Sequence, residues 1–122
     1  MNNFEELEAW KQARTIRNEI ALLVKSFPPE EKYKLTDQIV RSSRSVTANI
    51  SEGYGRFHYQ ENIQFCRFSR GSLNETLDHL ICAHDCSYID EKSLSEYRFK
   101  IAQNIKVLNG YIAYLKRKKE EG

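Results

Sequence analysis

The stretch "IAQNIKVLNGYIAYL", Ile101 to Leu115, sets Ile101, Ile105, Leu108, Ile112 and Leu115 at spacings of four, three, four and three. That is the heptad seam of a helix packed in a bundle. Beside the seam, Val107, Tyr111 and Tyr114 make a second apolar stripe. A surface helix of a monomer shows one stripe and a polar back, so a second stripe implies a second partner.

Three more helical segments precede this one. The nearest runs from about Tyr59 to Cys86, with Ile63, Cys66, Leu73, Leu77, Leu80 and Ile81 as its stripe. Phe65 and Phe68 lie off that stripe. With Val107, Tyr111 and Tyr114 they are the residues expected at an oligomer interface, because a second copy is the simplest partner for two doubly striped helices. "CSYIDEKS", Cys86 to Ser93, breaks the chain between these helices, and Asp90 is the expected N-cap of the last one.

Further back, "VTANISEGYGR", Val46 to Arg56, ends a helix that starts at about Pro29 or Glu30 and runs to Glu52. Leu35, Ile39, Val46 and Ile50 mark its inner face, while Ser42 and Ser43 let a neighbour come close. Gly53 is expected in the left-handed position that closes the helix, with Gly55 as a second permissive joint. "FPPEEKY" separates this segment from the first helix, because proline cannot continue one. Ala13, Ile16, Ile20, Leu23 and Phe27 line that first helix, and Leu7 and Trp10 extend its apolar surface. Four helices on short connections predict an all-α, up-down-up-down antiparallel four-helix bundle forming one domain, 1–122.

Composition agrees. Hydrophobic residues make up 40% and charged residues 30% of the 122, with five Gly and two Pro, too few turn formers for an all-β chain. No apolar run reaches the ~18 residues of a membrane span. The three cysteines form no CxxC pair and fit a reducing compartment, so a cytoplasmic location is expected. Lys and Arg number 19 against 17 Asp and Glu, short of the strongly basic balance that marks nucleic-acid binders outright. The excess is uneven: Glu91 to Gly122 holds eight basic and four acidic residues.

The chemistry-bearing residues divide into three sets. Arg41, Arg44, Arg67 and the run Lys116, Arg117, Lys118 and Lys119 are candidates for phosphate contact. Asn49, Glu52 and Arg56, at spacings of three and four, are expected to join Arg70 and Glu75 in a satisfied polar cluster that locks the joint after the second helix. His79, Cys82 and Cys86 share one helix face but spread over ~10 Å of rise, too far for one zinc ion. No metal or cofactor is expected. There is no GxSxG, phosphate-cradling glycine loop or HExxH. An acid–base site would need a pocket gathering Glu52, Glu75 and His84, so no enzyme and no small-molecule substrate are expected.

One resemblance covers nearly the whole chain. Phe4, Leu7, Trp10 and Ala13, then "FPPEEKYKLTDQI", "SVTANISEGYGR", Phe65, "RGSLNE", "SYI" and "LNGYIAYLK" follow in an ordered, spaced set. They resemble the small four-helix-bundle family encoded within intervening sequences of bacterial 23S rRNA genes, loosely labelled a ribosomal protein. Thr47, Ser51, Lys34 and Cys66 depart from its usual proline, alanine, glycine and leucine. The resemblance implies a fold similar to the accessory variability determinant protein of diversity-generating retroelements, a cationic pentameric barrel that binds a reverse transcriptase and nucleic acid. It implies a homo-oligomer, a pentamer, binding structured RNA or a ribonucleoprotein. The alternative is a protein-interaction scaffold with no nucleic-acid role.

Overall fold

The computed structural model describes residues 3–122. A 3₁₀ turn, Phe4–Glu6, leads into α1 (Glu8–Leu23), followed by α2 (Leu35–Gly55), α3 (Tyr59–Asp85) and α4 (Glu91–Glu121). No strand occurs among the described residues. Consecutive helices pack on one another and α1 closes the bundle against α4. The links Arg56–His58 and Cys86–Asp90 are too short for anything but reversal of direction.

The core is the set of apolar stripes turned inward. Ile20, Ile39, Ile50, Ile63, Leu73, Leu80, Ile101 and Leu108 are fully buried. Two stripes differ in detail from their sequence patterns. On α3 the deepest line passes through Ser69, Thr76 and Ala83, leaving Leu77 and Ile81 half-buried at its edge. On α4 Asn104 is fully buried where Ile105 was expected, because its amide donates to the Ala9 carbonyl of α1 at 3.0 Å.

Small polar residues make the α2–α3 contact close. The hydroxyls of Ser42 and Thr76 share a hydrogen bond at 2.8 Å, Ser72 donates to Ser45 at 3.0 Å, and Ser69 donates to the Val46 carbonyl at 2.8 Å. Each buried hydroxyl therefore keeps a partner, which avoids the cost of an orphaned polar group.

Both ends of α2 differ from the sequence reading. Pro29–Glu31 is a separate 3₁₀ turn, and Lys34, at ψ −110°, falls outside helical geometry, so α2 begins only at Leu35. At the other end α2 continues through both glycines, and neither has positive φ. The left-handed residue is Phe57 (φ 54°), whose N–H donates to the Tyr54 carbonyl at 3.3 Å. Gly53 serves packing instead: a Cβ there would stand 2.8 Å from the Cβ of Phe65 on α3. α3 closes in a Schellman motif, with Ser87 left-handed, Ser87 N–H on His84 O and Tyr88 N–H on Ala83 O. Asp90 caps α4 by accepting from the Ser93 N–H at 2.8 Å.

Candidate functional site

The expected phosphate-binding residues separate into two places. Arg44 lies with Arg17 in a groove between α1 and α2, also lined by Trp10, Thr47 and Ser51. Arg17 was not singled out in the sequence; its guanidinium donates to Thr47 Oγ1 at 3.1 Å, a contact invisible to local pattern. Arg41, one turn before Arg44, pairs with Asp37 at 3.6 Å on the open surface. Arg67, Lys116 and Lys119 line a groove of about 240 Å³ between α3 and α4, with Glu120 as its one acid. These two helix pairs form opposite sides of the bundle, so the arginines and the lysine run do not make one patch.

Within the α3/α4 groove, Lys119 donates to Gln60 at 2.6 Å, whereas Arg67 and Lys116 have no carboxylate partner among the described residues. Nor does Arg117, which is exposed and does not line the groove. Lys118 points elsewhere. It pairs with Glu121 at 3.4 Å and lies 5.8 Å from the ring centroid of Tyr114. Its hydrogen bond to Glu121 is the main cause of a raised pKa, with Tyr114 and Tyr59 adding smaller contributions.

The polar cluster expected at the α2–α3 joint does not form. Asn49 turns back to donate to the Ser45 carbonyl and hydroxyl, both at 2.9 Å. Glu52 and Arg56 make an exposed pair at 3.8 Å, and Arg56 covers the Phe65 ring at 5.1 Å. Arg70 donates to Asn109 of α4 at 2.7 Å, while Glu75 contacts His79 at 3.3 Å. Helical rotation is the reason: Arg70 faces α4 and Glu75 faces solvent, so neither reaches the end of α2. His84 pairs with Glu91 at 3.2 Å, so Glu52, Glu75 and His84 share no pocket. Among the described residues no cluster of His, Cys, Asp and Glu could hold a metal ion.

The residues expected at an oligomer interface also divide. Phe65 and Phe68 stand edge to face at 5.7 Å, and Phe68 remains 49% exposed. Val107 packs half-buried against the core. Tyr111 and Tyr114 stack with nearly parallel rings, 6.2 Å apart, and both line an open cleft.

That cleft, about 620 Å³, was not foreseen in the sequence. It lies at the bundle end where Leu7, the α2–α3 joint and the last turns of α4 meet. Tyr54, Phe57, His58, Tyr59, Tyr111 and Tyr114 form most of its wall. Buried Asn62 donates to the Tyr111 hydroxyl at 3.0 Å and accepts from the Cys66 thiol at 3.6 Å. Burial pushes the Tyr111 hydroxyl up to about 12, with the Asn62 hydrogen bond opposing the shift.

No helix among the described residues is long and apolar enough to cross a membrane. No curated protein matches the chain. A crystal structure of a protein with unknown function from the S23 ribosomal protein family of Bacteroides thetaiotaomicron VPI-5482 has the same fold. The two superpose with a TM-score of 0.79 at 23% identity, over 86% of this chain and 95% of that one. The model of the 23S rRNA-intervening sequence protein family matches residues 5–110, most of the bundle just described, and the chain belongs to that family.

Proposed function

We propose that the protein is a non-enzymatic, homo-oligomeric bundle that binds structured RNA through the α3/α4 groove. The observation supporting this reading is the meeting of Arg67 with Lys116 and Lys119, from distant parts of the chain, around one groove with a single acid. Guanidinium and ammonium groups without carboxylate partners are available to phosphates. The family description, 23S rRNA-intervening sequence protein, names the RNA to try first.

Binding of this kind releases counterions, so affinity must fall steeply with salt. With two to three phosphate contacts, log K against log salt has a slope of roughly −2 to −3. Fluorescence anisotropy with a hairpin from 23S rRNA measures it. Arg67→Glu with Lys116→Glu weakens binding and flattens the slope. No binding in low salt, or binding insensitive to salt, sinks the proposal.

A protein-interaction scaffold is the second reading, favoured by Phe68, which is exposed and stands edge to face on half-buried Phe65. Protein partners that stay bound after nuclease treatment would support it over the first. Light scattering that returns the 14.4 kDa of a single chain contradicts the oligomer.

A further inference from the structure

We infer that the aromatic cleft at the α2–α3 joint receives an unpaired nucleotide of the RNA whose phosphates lie in the neighbouring α3/α4 groove. This rests on the RNA reading above and specifies what that RNA must carry.

Several features of the cleft are poorly explained by folding alone. Phe57 is 86% exposed and sits at φ 54°, a backbone conformation that favours glycine over a bulky side chain. Tyr59 and Tyr114, which also line the cleft, are 45% and 44% exposed. These rings do little for the core, whose apolar residues lie elsewhere. Tyr111 and Tyr114 form a nearly parallel pair, with an interplanar angle of 13°. Ring faces set around an open cleft are what unpaired bases stack on, whatever their sequence.

The neighbouring α3/α4 groove, where Arg67 and Lys116 have no carboxylate partner among the described residues, favours a phosphate-bearing occupant over an apolar peptide. α3, 27 residues long, begins at the cleft, and its N-cap His58 makes no side-chain capping hydrogen bond. The first backbone N–H groups of α3 are therefore left without a side-chain cap, and a helix N-terminus of this kind suits an anion. Lys118 lies 5.8 Å from the ring centroid of Tyr114, a cleft residue, and is paired with Glu121 one turn on. Arg56, paired with Glu52, borders the joint. The cleft and the groove are contiguous along the sequence as well: Tyr59 and Leu115 line the first, Gln60 and Lys116 the second.

The test uses the full chain and labelled RNA in fluorescence anisotropy: a blunt duplex, the same duplex with a single-stranded 3′ overhang, and the overhang strand alone. The overhang raises affinity roughly tenfold. Phe57→Ala and Tyr114→Ala, with folding checked by circular dichroism, each reduce that gain while leaving blunt-duplex affinity and its salt slope unchanged. Arg67→Gln weakens both duplexes by the same factor. Equal affinity for the two duplexes, or a full gain in both aromatic variants, overturns the inference. So does free adenosine monophosphate binding as tightly as the overhang, which would make the site one for a soluble nucleotide. A change of assembly mass in Tyr114→Ala without RNA would assign the cleft to a second copy of the chain and also overturn it. If only the overhang strand binds, and the aromatic variants lose it, the cleft stands and the groove reading fails. If no RNA binds, both fail.

Discussion

Gly53 of α2 and Asn62 of α3 approach so closely that a Cβ on the glycine would stand 2.8 Å from Asn62 Oδ1. The same Cβ would meet the Phe65 Cβ and the Asn62 carbonyl, so the wall is not a flexible side-chain tip. Asn62 in turn holds Tyr111, which places this contact directly behind the aromatic cleft.

Gly53→Ala therefore forces α2 and α3 apart and destabilises the protein by about 1–3 kcal/mol, the usual cost of overpacking. Gly71, in the middle of α3 with nothing near its would-be Cβ, supplies the control. Gly71→Ala raises stability by about 0.5–1 kcal/mol, because alanine is the better helix former. Urea unfolding midpoints read both. Equal effects of the two substitutions would mean that the helices are not in contact at Gly53.

Glu52 tests the other half of the joint. Its pair with Arg56 is exposed and long, at 3.8 Å. Glu52→Ala is expected to shift stability by no more than about 0.5 kcal/mol, the range of helical i,i+4 ion pairs. A loss well above 1 kcal/mol in urea unfolding would bring back the buried cluster that the sequence suggested.

Alkali should unfold the bundle before it titrates it. Burial raises the Cys66 thiol from 9.0 to about 12, and burial likewise raises Tyr97 and Tyr111 from 10.0 to about 12. The unfolded chain releases these protons first, at the ordinary values. The folded state therefore holds more protons through this window, and stability is full below pH 9.0 and falls as pH rises toward about 12. Urea midpoints across that range should drop while the absorbance of these tyrosinates lags behind that of free tyrosine. Alkylation at neutral pH should mark exposed Cys82 and Cys86 and spare Cys66. A flat midpoint through the alkaline range, or early labelling of Cys66, would contradict the burial.

Much of the fold was legible locally. The apolar spacing of α1, the proline break at Pro28–Pro29 and the Asp90 cap depend on residues a turn or two apart, and the structure keeps them. On α4 the seam holds except that Asn104 takes the buried place of Ile105. The start of α2 was misread because Glu30 and Glu31 look helical, although the backbone at Lys34 interrupts the run. The glycines of "SEGYG" were misread for a similar reason. A left-handed cap and a close helix contact both favour glycine, and only the position of α3 shows that Gly53 answers to the second.

The sequence by itself determined that four amphipathic helices would form and which stripe of each would be apolar, because helical periodicity is a property of neighbours. Tertiary structure decided how the polar and aromatic residues group. It sent Arg44 to α1 and Arg67 to α4, parted Arg70 from Glu52, and gathered Tyr54, Phe57, Tyr59, Tyr111 and Tyr114 around one cleft. Those groupings follow from the rotation of each helix about its axis and its distance from the next. Both are fixed by packing summed over the whole bundle, and no local stretch of sequence contains that sum.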